Sequence, residues 1–94
     1  MNQNPSPSAR EQQYLDDIIE AVKNELCLIP SSEHTSPEQI SSKADWKTLN
    51  VDSLDLLELA YRCENKFSIS IPDDDCATLE NIEQLSQYIL SKLN

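Results

Sequence analysis

Few residues in this chain have the chemistry to do work. Ser53 stands between Asp52 and Leu54 at the start of a stretch with helical apolar spacing, and a serine hydroxyl there can attack an electrophile, cap the helix or accept a covalent group. Nucleophilic attack needs a base to take the proton, and the single histidine, His34, lies in a separate serine-rich segment. Serine hydrolase chemistry has little support, so no catalytic residue is assigned and the chain reads as a non-enzyme.

The other reactive side chains have plainer readings. Cys27, Cys63 and Cys76 lack C-x-x-C spacing and lie within helical patterns, so they read as small apolar residues and not as zinc ligands or a disulfide. Asp73, Asp74 and Asp75 follow Pro72 and suit the positive N-terminus of a short helix that Pro72 would open. A calcium loop of the EF-hand type needs spaced ligands and a central glycine, and the chain has no glycine. No metal site is expected.

The elements that must position Ser53 follow from periodicity. Within 94 residues only one modest core can form. Residues 1–9 carry no apolar period and read as a disordered tail, leaving 10–94 as a single domain. From about Arg10 to Leu28, the residues Leu15, Ile18, Ile19, Val22 and Leu26 share one stripe of a first helix, which Pro30 ends. A long loop to Ala44 follows, pinned by Ile40, and then a turn capped by Asp45 whose Trp46 and Leu49 are read as packing residues.

From Ser53 to about Phe67 the apolar residues cover more than half of a second helix, including Leu54, Leu56, Leu57, Leu59 and Tyr61, so that helix should touch several neighbours. Its polar face carries Asp55, Glu58, Arg62, Asn65 and Lys66, with Glu58 and Arg62 at pairing distance. Ser68 to Ile71 alternates like a strand but has no partner segment, so it reads as an extended connection. A last helix runs from about Asn81 to Leu93, with Asn81 and Gln84 spaced as a capping box. The expected fold class is all-α: three main helices, a short helix between the second and last, and a long loop after the first.

Charge and hydropathy bound the partners. Seventeen acidic against seven basic residues give a net charge of -10, which repels nucleic acid and anionic membrane and attracts proteins with basic surfaces. The longest apolar run, Leu26 to Ile29, is far short of the roughly 20 residues of a spanning helix. The N-terminus also lacks a basic-then-apolar pattern. A cytoplasmic monomer without membrane insertion is expected.

On the residues alone, a helix cap worth about 1 kcal/mol explains Ser53 as well as any chemistry does. Its surroundings add more: Leu49-Asn50-Val51-Asp52-Ser53-Leu54-Asp55-Leu56-Leu57-Glu58-Leu59, then Phe67, Ile71-Pro72-Asp73-Asp74, and Leu85 with Tyr88-Ile89. This ordered set resembles the acyl carrier protein family from roughly Gln12 to Leu93. The resemblance implies that Ser53 is the attachment point of 4′-phosphopantetheine, whose terminal thiol carries acyl groups as thioesters. It also implies that Asp52 assists a phosphopantetheinyl transferase.

By the same resemblance, the second helix docks basic surfaces of synthases, transferases and loading ligases through Leu54, Asp55, Leu56, Glu58 and Arg62, with Glu64 at the edge. Leu57, Tyr61 and Ile71 resemble the lining of the family's acyl pocket, though each also reads as ordinary core. The implied function is an acyl carrier in fatty acid or specialised polyketide-type biosynthesis. The alternatives are an aminoacyl or peptidyl carrier, or an unmodified acidic helical adaptor.

Departures from the family pattern point to dedicated partners. Asn50 stands where the family commonly has glycine, and Asn is the non-glycine residue most tolerant of positive φ. Arg62 and Lys66 dilute the acidic strip, Leu56 replaces an often smaller or polar residue, and the segment between Ile29 and Asp45 is longer than in compact members.

Overall fold

In a computed structural model of the chain, residues 7–30 and 33–93 are described, the side chains of 7–11 excepted. The element order is α1 (Pro7–Leu28), a 3-10 turn (Pro37–Gln39), α2 (Ser53–Phe67), α3 (Asp73–Cys76) and α4 (Ile82–Leu93). Among the described residues there is no strand, only an isolated antiparallel bridge between Asp45 and Asn81. The all-α expectation holds.

The apolar stripe of α1 is buried as its spacing requires, with Leu15, Ile18, Val22 and Leu26 facing the core. α1 packs chiefly on α4, whose Ile82, Leu85 and Ile89 have no exposed surface, and secondarily on α2. α2 contributes Leu59, Ala60 and Cys63, while Ile40, Leu49, Val51, Ile71 and Cys76 close the core from the connections. Leu93, the last residue of α4, is half exposed.

Helix α1 starts earlier than the tail boundary expected from composition. Pro7, Ser8 and Ala9 are helical, as proline at a first helical position loses no hydrogen bond; the rest of that expected tail, 1–6, lies outside the described residues. The long loop also holds a turn that polarity concealed. Ser36 caps it by accepting the Glu38 N–H, with Pro37 at the first position.

The remaining boundaries follow from caps. Pro72 precedes α3 and does not open it; Asp73, Asp74 and Asp75 form the first turn. Asn81 Oδ1 accepts the Gln84 N–H at 2.8 Å, while Gln84 Oε1 reaches the N–H of Glu80 at 2.9 Å and not that of Asn81. α2 ends at Ser68, a non-glycine residue at φ 56°. Glu64 Oε2 accepts the Ile71 N–H at 2.6 Å and carries the chain from α2 to α3.

Candidate functional site

The N-terminus of α2 is built by a tight turn. Asp45 Oδ1 accepts the Thr48 N–H at 2.8 Å, and hydrogen bonds from the Thr48 side chain and backbone hold its carboxyl below the usual range. The Val51 N–H returns to the Trp46 carbonyl at 2.8 Å. Asn50 between them has φ 60°, the left-handed conformation that glycine would otherwise supply. Asn was therefore a sufficient substitute.

This turn is stitched to the rest of the fold on both sides. The Trp46 indole N–H donates to the Leu79 carbonyl at 2.8 Å, and the Glu83 N–H donates to Ser42 O at 2.9 Å. On the other side His34 Nε2–H donates to Leu49 O at 2.9 Å, and Asn50 Nδ2 donates to Glu33 Oε1 at 3.2 Å. The histidine expected in a loop remote from the site is thus tied to the turn that leads into α2, where it supports the backbone.

Asp52 is the cap of α2. Its extended backbone (φ -85°, ψ -177°) lets Oδ1 accept the Asp55 N–H at 2.8 Å, and its carbonyl accepts the Leu56 N–H at 2.9 Å. Ser53 is therefore the first helical residue and not the cap, which corrects the simplest reading of that serine. Its side chain is exposed and, among the described residues, its hydroxyl has no hydrogen-bond partner.

Beside Ser53 opens a groove of about 580 Å³ lined by Trp46, Lys47, Val51, Asp52 and Leu56. The first-turn N–H groups of Ser53 and Leu54 have no acceptor among the described residues. An exposed hydroxyl at the positive end of a helix, with a lysine in the adjoining groove, is chemically suited to carry a phosphate-linked group.

The apolar residues of α2 divide differently from the broad buried face expected. Leu59, Ala60 and Cys63 are buried, whereas Leu54, Leu57 and Tyr61 are 75%, 42% and 61% exposed. α2 meets α1 and α3, and the stripe of Leu54, Leu57 and Tyr61 is left to solvent. Of the three expected pocket residues, Ile71 is buried in the core, whereas Leu57 and Tyr61 keep much of their surface exposed.

The charged face is mixed, and its cations are engaged. Arg62 Nε pairs with Glu58 at 3.1 Å and its Nη1 with Glu25 of α1 at 3.7 Å, while Lys66 lies 3.9 Å from Glu25. Asp55 is half-buried and Glu58 exposed. Glu64, placed at the edge of the docking strip, is turned instead onto the Ile71 N–H.

The remaining titratable groups serve structure. Asp75 accepts from the Tyr88 hydroxyl at 2.7 Å, a bond that pushes that phenol up to about 12. Burial pushes the Cys63 thiol up to about 12 and also raises Cys27 and Cys76; all three are free. Among the described residues no three His, Cys, Asp or Glu side chains gather where they would hold a metal ion. Among the same residues no helix is long and apolar enough to cross a membrane.

Sequence reasoning did not single out Lys47, and it read Trp46 as packing alone. The one available signal was a cation shortly before the serine in a strongly acidic chain.

Residues 17–89 match a family model described as a phosphopantetheine attachment site. The chain is 33% identical over 79 residues to an acyl carrier protein of Thermobifida fusca, covering 84% of this chain and 92% of that protein. It is 34% identical over 76 residues to an acyl carrier protein of Chloroherpeton thalassium, covering 79% and 95%. With the mitochondrial acyl carrier protein 3 of Arabidopsis thaliana it shares 35% over 83 residues, covering 87% of this chain and 58% of that protein.

Proposed function

The chain belongs to the acyl carrier protein family, non-enzymatic carriers with covalently attached 4′-phosphopantetheine, and we propose that Ser53 is the residue that bears the arm. The observation that supports this most is the division of labour at α2: Asp52 takes the cap, which leaves an exposed Ser53 hydroxyl without a partner among the described residues. When bound, the arm supplies a terminal thiol on which acyl groups are carried as thioesters.

The chain's own residues present and steer. The Ser53 and Leu54 N–H groups, without an acceptor among the described residues, would be available to hold a phosphodiester, and the positive end of α2 would favour its charge. Asp52, exposed beside the serine, is the residue we assign to recognition by a phosphopantetheinyl transferase. Leu54, Leu57 and Tyr61 form an exposed apolar stripe, with Asp55 and Glu58 as acidic neighbours that attract basic partner surfaces and Arg62, paired with Glu58, tuning which of them fit. Leu56 serves the serine's immediate surroundings from the groove wall.

We take the cargo to be acyl intermediates of fatty acid or polyketide-type biosynthesis, handled in the cytoplasm by a monomer that forms one carrier domain from α1 through α4. A dedicated partner set is supported by the ion pairs of Arg62 and Lys66, which break the acidic strip. Loading ligases and synthases with small, transient interfaces would be the partners. Treatment with a broad-specificity transferase and coenzyme A, followed by intact mass on the wild type and Ser53→Ala, tests the assignment. An arm-sized gain confined to the wild type supports it; a gain that survives in Ser53→Ala removes it.

A further inference from the structure

We propose that the groove between the turn preceding α2 and the first turn of α2 is a seat for the arm, with Lys47 as its anionic anchor and Trp46 as its apolar wall. The inference rests on Ser53 bearing that arm. Three observations carry it.

The first is position. Ser53 itself lines the groove of about 580 Å³, so a chain leaving its hydroxyl starts at the edge of the depression and has only a short path into it. Tethering turns seating into an intramolecular event at high effective concentration, so weak contacts suffice.

The second is charge. In a chain of net charge -10, a cation sits in the groove that adjoins the proposed phosphate ester. Lys47 is exposed and forms no ion pair within 4 Å among the described residues, although Asp45 feels its charge. Arg62 and Lys66, by contrast, are committed to Glu58 and Glu25. A phosphodiester is the anion this lysine can meet without displacing a partner.

The third is preorganisation. The Trp46 indole N–H is bonded to Leu79 O at 2.8 Å, and the ring is half-buried against the core, so its orientation is fixed before anything binds. Val51 and Leu56 extend the apolar wall. The core-facing residues of α2 and the chain after it offer no such surface, since Leu59 and Cys63 are fully buried and Ile71 nearly so. The pantetheine chain therefore finds open apolar surface on the turn side, where burial of its methylene groups is favourable.

Trp46 is the chain's only tryptophan and reports directly on the seat. Apo and arm-bearing protein, their state verified by intact mass, are compared by acrylamide quenching of Trp46 and by phosphorus NMR of the phosphodiester. The comparison is repeated in Lys47→Ala and Lys47→Glu. Seating predicts weaker quenching in the arm-bearing wild type than in the apo form, a phosphorus shift that moves with Lys47 substitution, and loss of the quenching difference in Lys47→Glu.

Complete arm attachment with equal quenching of the two forms, or a phosphorus shift indifferent to Lys47, overturns the seat and leaves Ser53 as the attachment point. No mass gain in the wild type removes the occupant and overturns both. Lys47 is exposed, so its variants keep the fold; the apo variant's own quenching serves as each baseline.

Discussion

Asp52 Oδ1 accepts the Asp55 N–H at 2.8 Å, and with that bond the cap of α2 is filled by the residue before the serine. Two adjacent polar residues at a helix start thereby acquire separate tasks. One holds the helix; the other is left exposed, its hydroxyl without a partner among the described residues.

The separation can be measured as stability. Asp52→Ala is expected to cost about 1 kcal/mol, because the Asp55 N–H loses its acceptor. Ser53→Ala should change unfolding by less than about 0.5 kcal/mol, since an exposed side chain without a partner is removed. Asp52→Asn should retain most of the cap while slowing arm transfer, if the carboxylate serves the modifying enzyme. Urea unfolding combined with timed mass spectrometry separates the two effects.

The apolar residues of α2 should fall into two classes. Leu59→Ala removes a fully buried side chain and is expected to cost about 2–5 kcal/mol. Leu57→Ala and Tyr61→Ala touch exposed positions and should leave stability within about 1 kcal/mol, yet weaken productive contact with a partner by a similar amount where they act as interface anchors. Denaturation midpoints set beside loading kinetics distinguish the classes.

This division was only half legible in the sequence. Helical spacing correctly marks Ser53–Phe67 as α2, but a stripe covering more than half the helix does not say which part meets a neighbour. α1 and α3 decide that, and they choose Leu59, Ala60 and Cys63. The left-handed Asn50 was readable because it stands where the resembled family commonly has glycine, whereas Ser68 at φ 56° carries no comparable mark. The ties from His34 to Leu49 and from Trp46 to Leu79 span long sequence separations that no local pattern encodes.

Surface charge should affect encounter more than folding. Glu58→Lys removes an exposed pair with Arg62 that is worth under about 1 kcal/mol, so stability should change little. Association with basic partner enzymes should slow, most visibly at low salt. Stopped-flow association at two ionic strengths checks this, and salt-independent, unchanged rates would count against docking through α2.

Alkaline unfolding has identifiable sources. The Tyr88 phenol is pushed from 10.0 up to about 12, first by its hydrogen bond to Asp75, and burial pushes the Cys63 thiol from 9.0 up to about 12. Both folded values lie above the unfolded ones, so each contribution is intact below the unfolded pKa and is lost as pH climbs towards the folded one. Stability should therefore decline between pH 9.0 and about 12, with the tyrosine part confined to the range above 10.0. Tyr88→Phe should flatten the upper part of that decline in urea titrations at stepped pH.

The central claim, that Ser53 bears the arm, is tested most directly by locating the arm. After incubation with a broad-specificity transferase and coenzyme A, the intact protein is weighed and its peptides are fragmented. The expected result is a single arm-sized gain on the peptide containing Asp52-Ser53-Leu54, absent from Ser53→Ala. A gain on another residue, or none in a protein whose helical fold is intact by circular dichroism, contradicts the account.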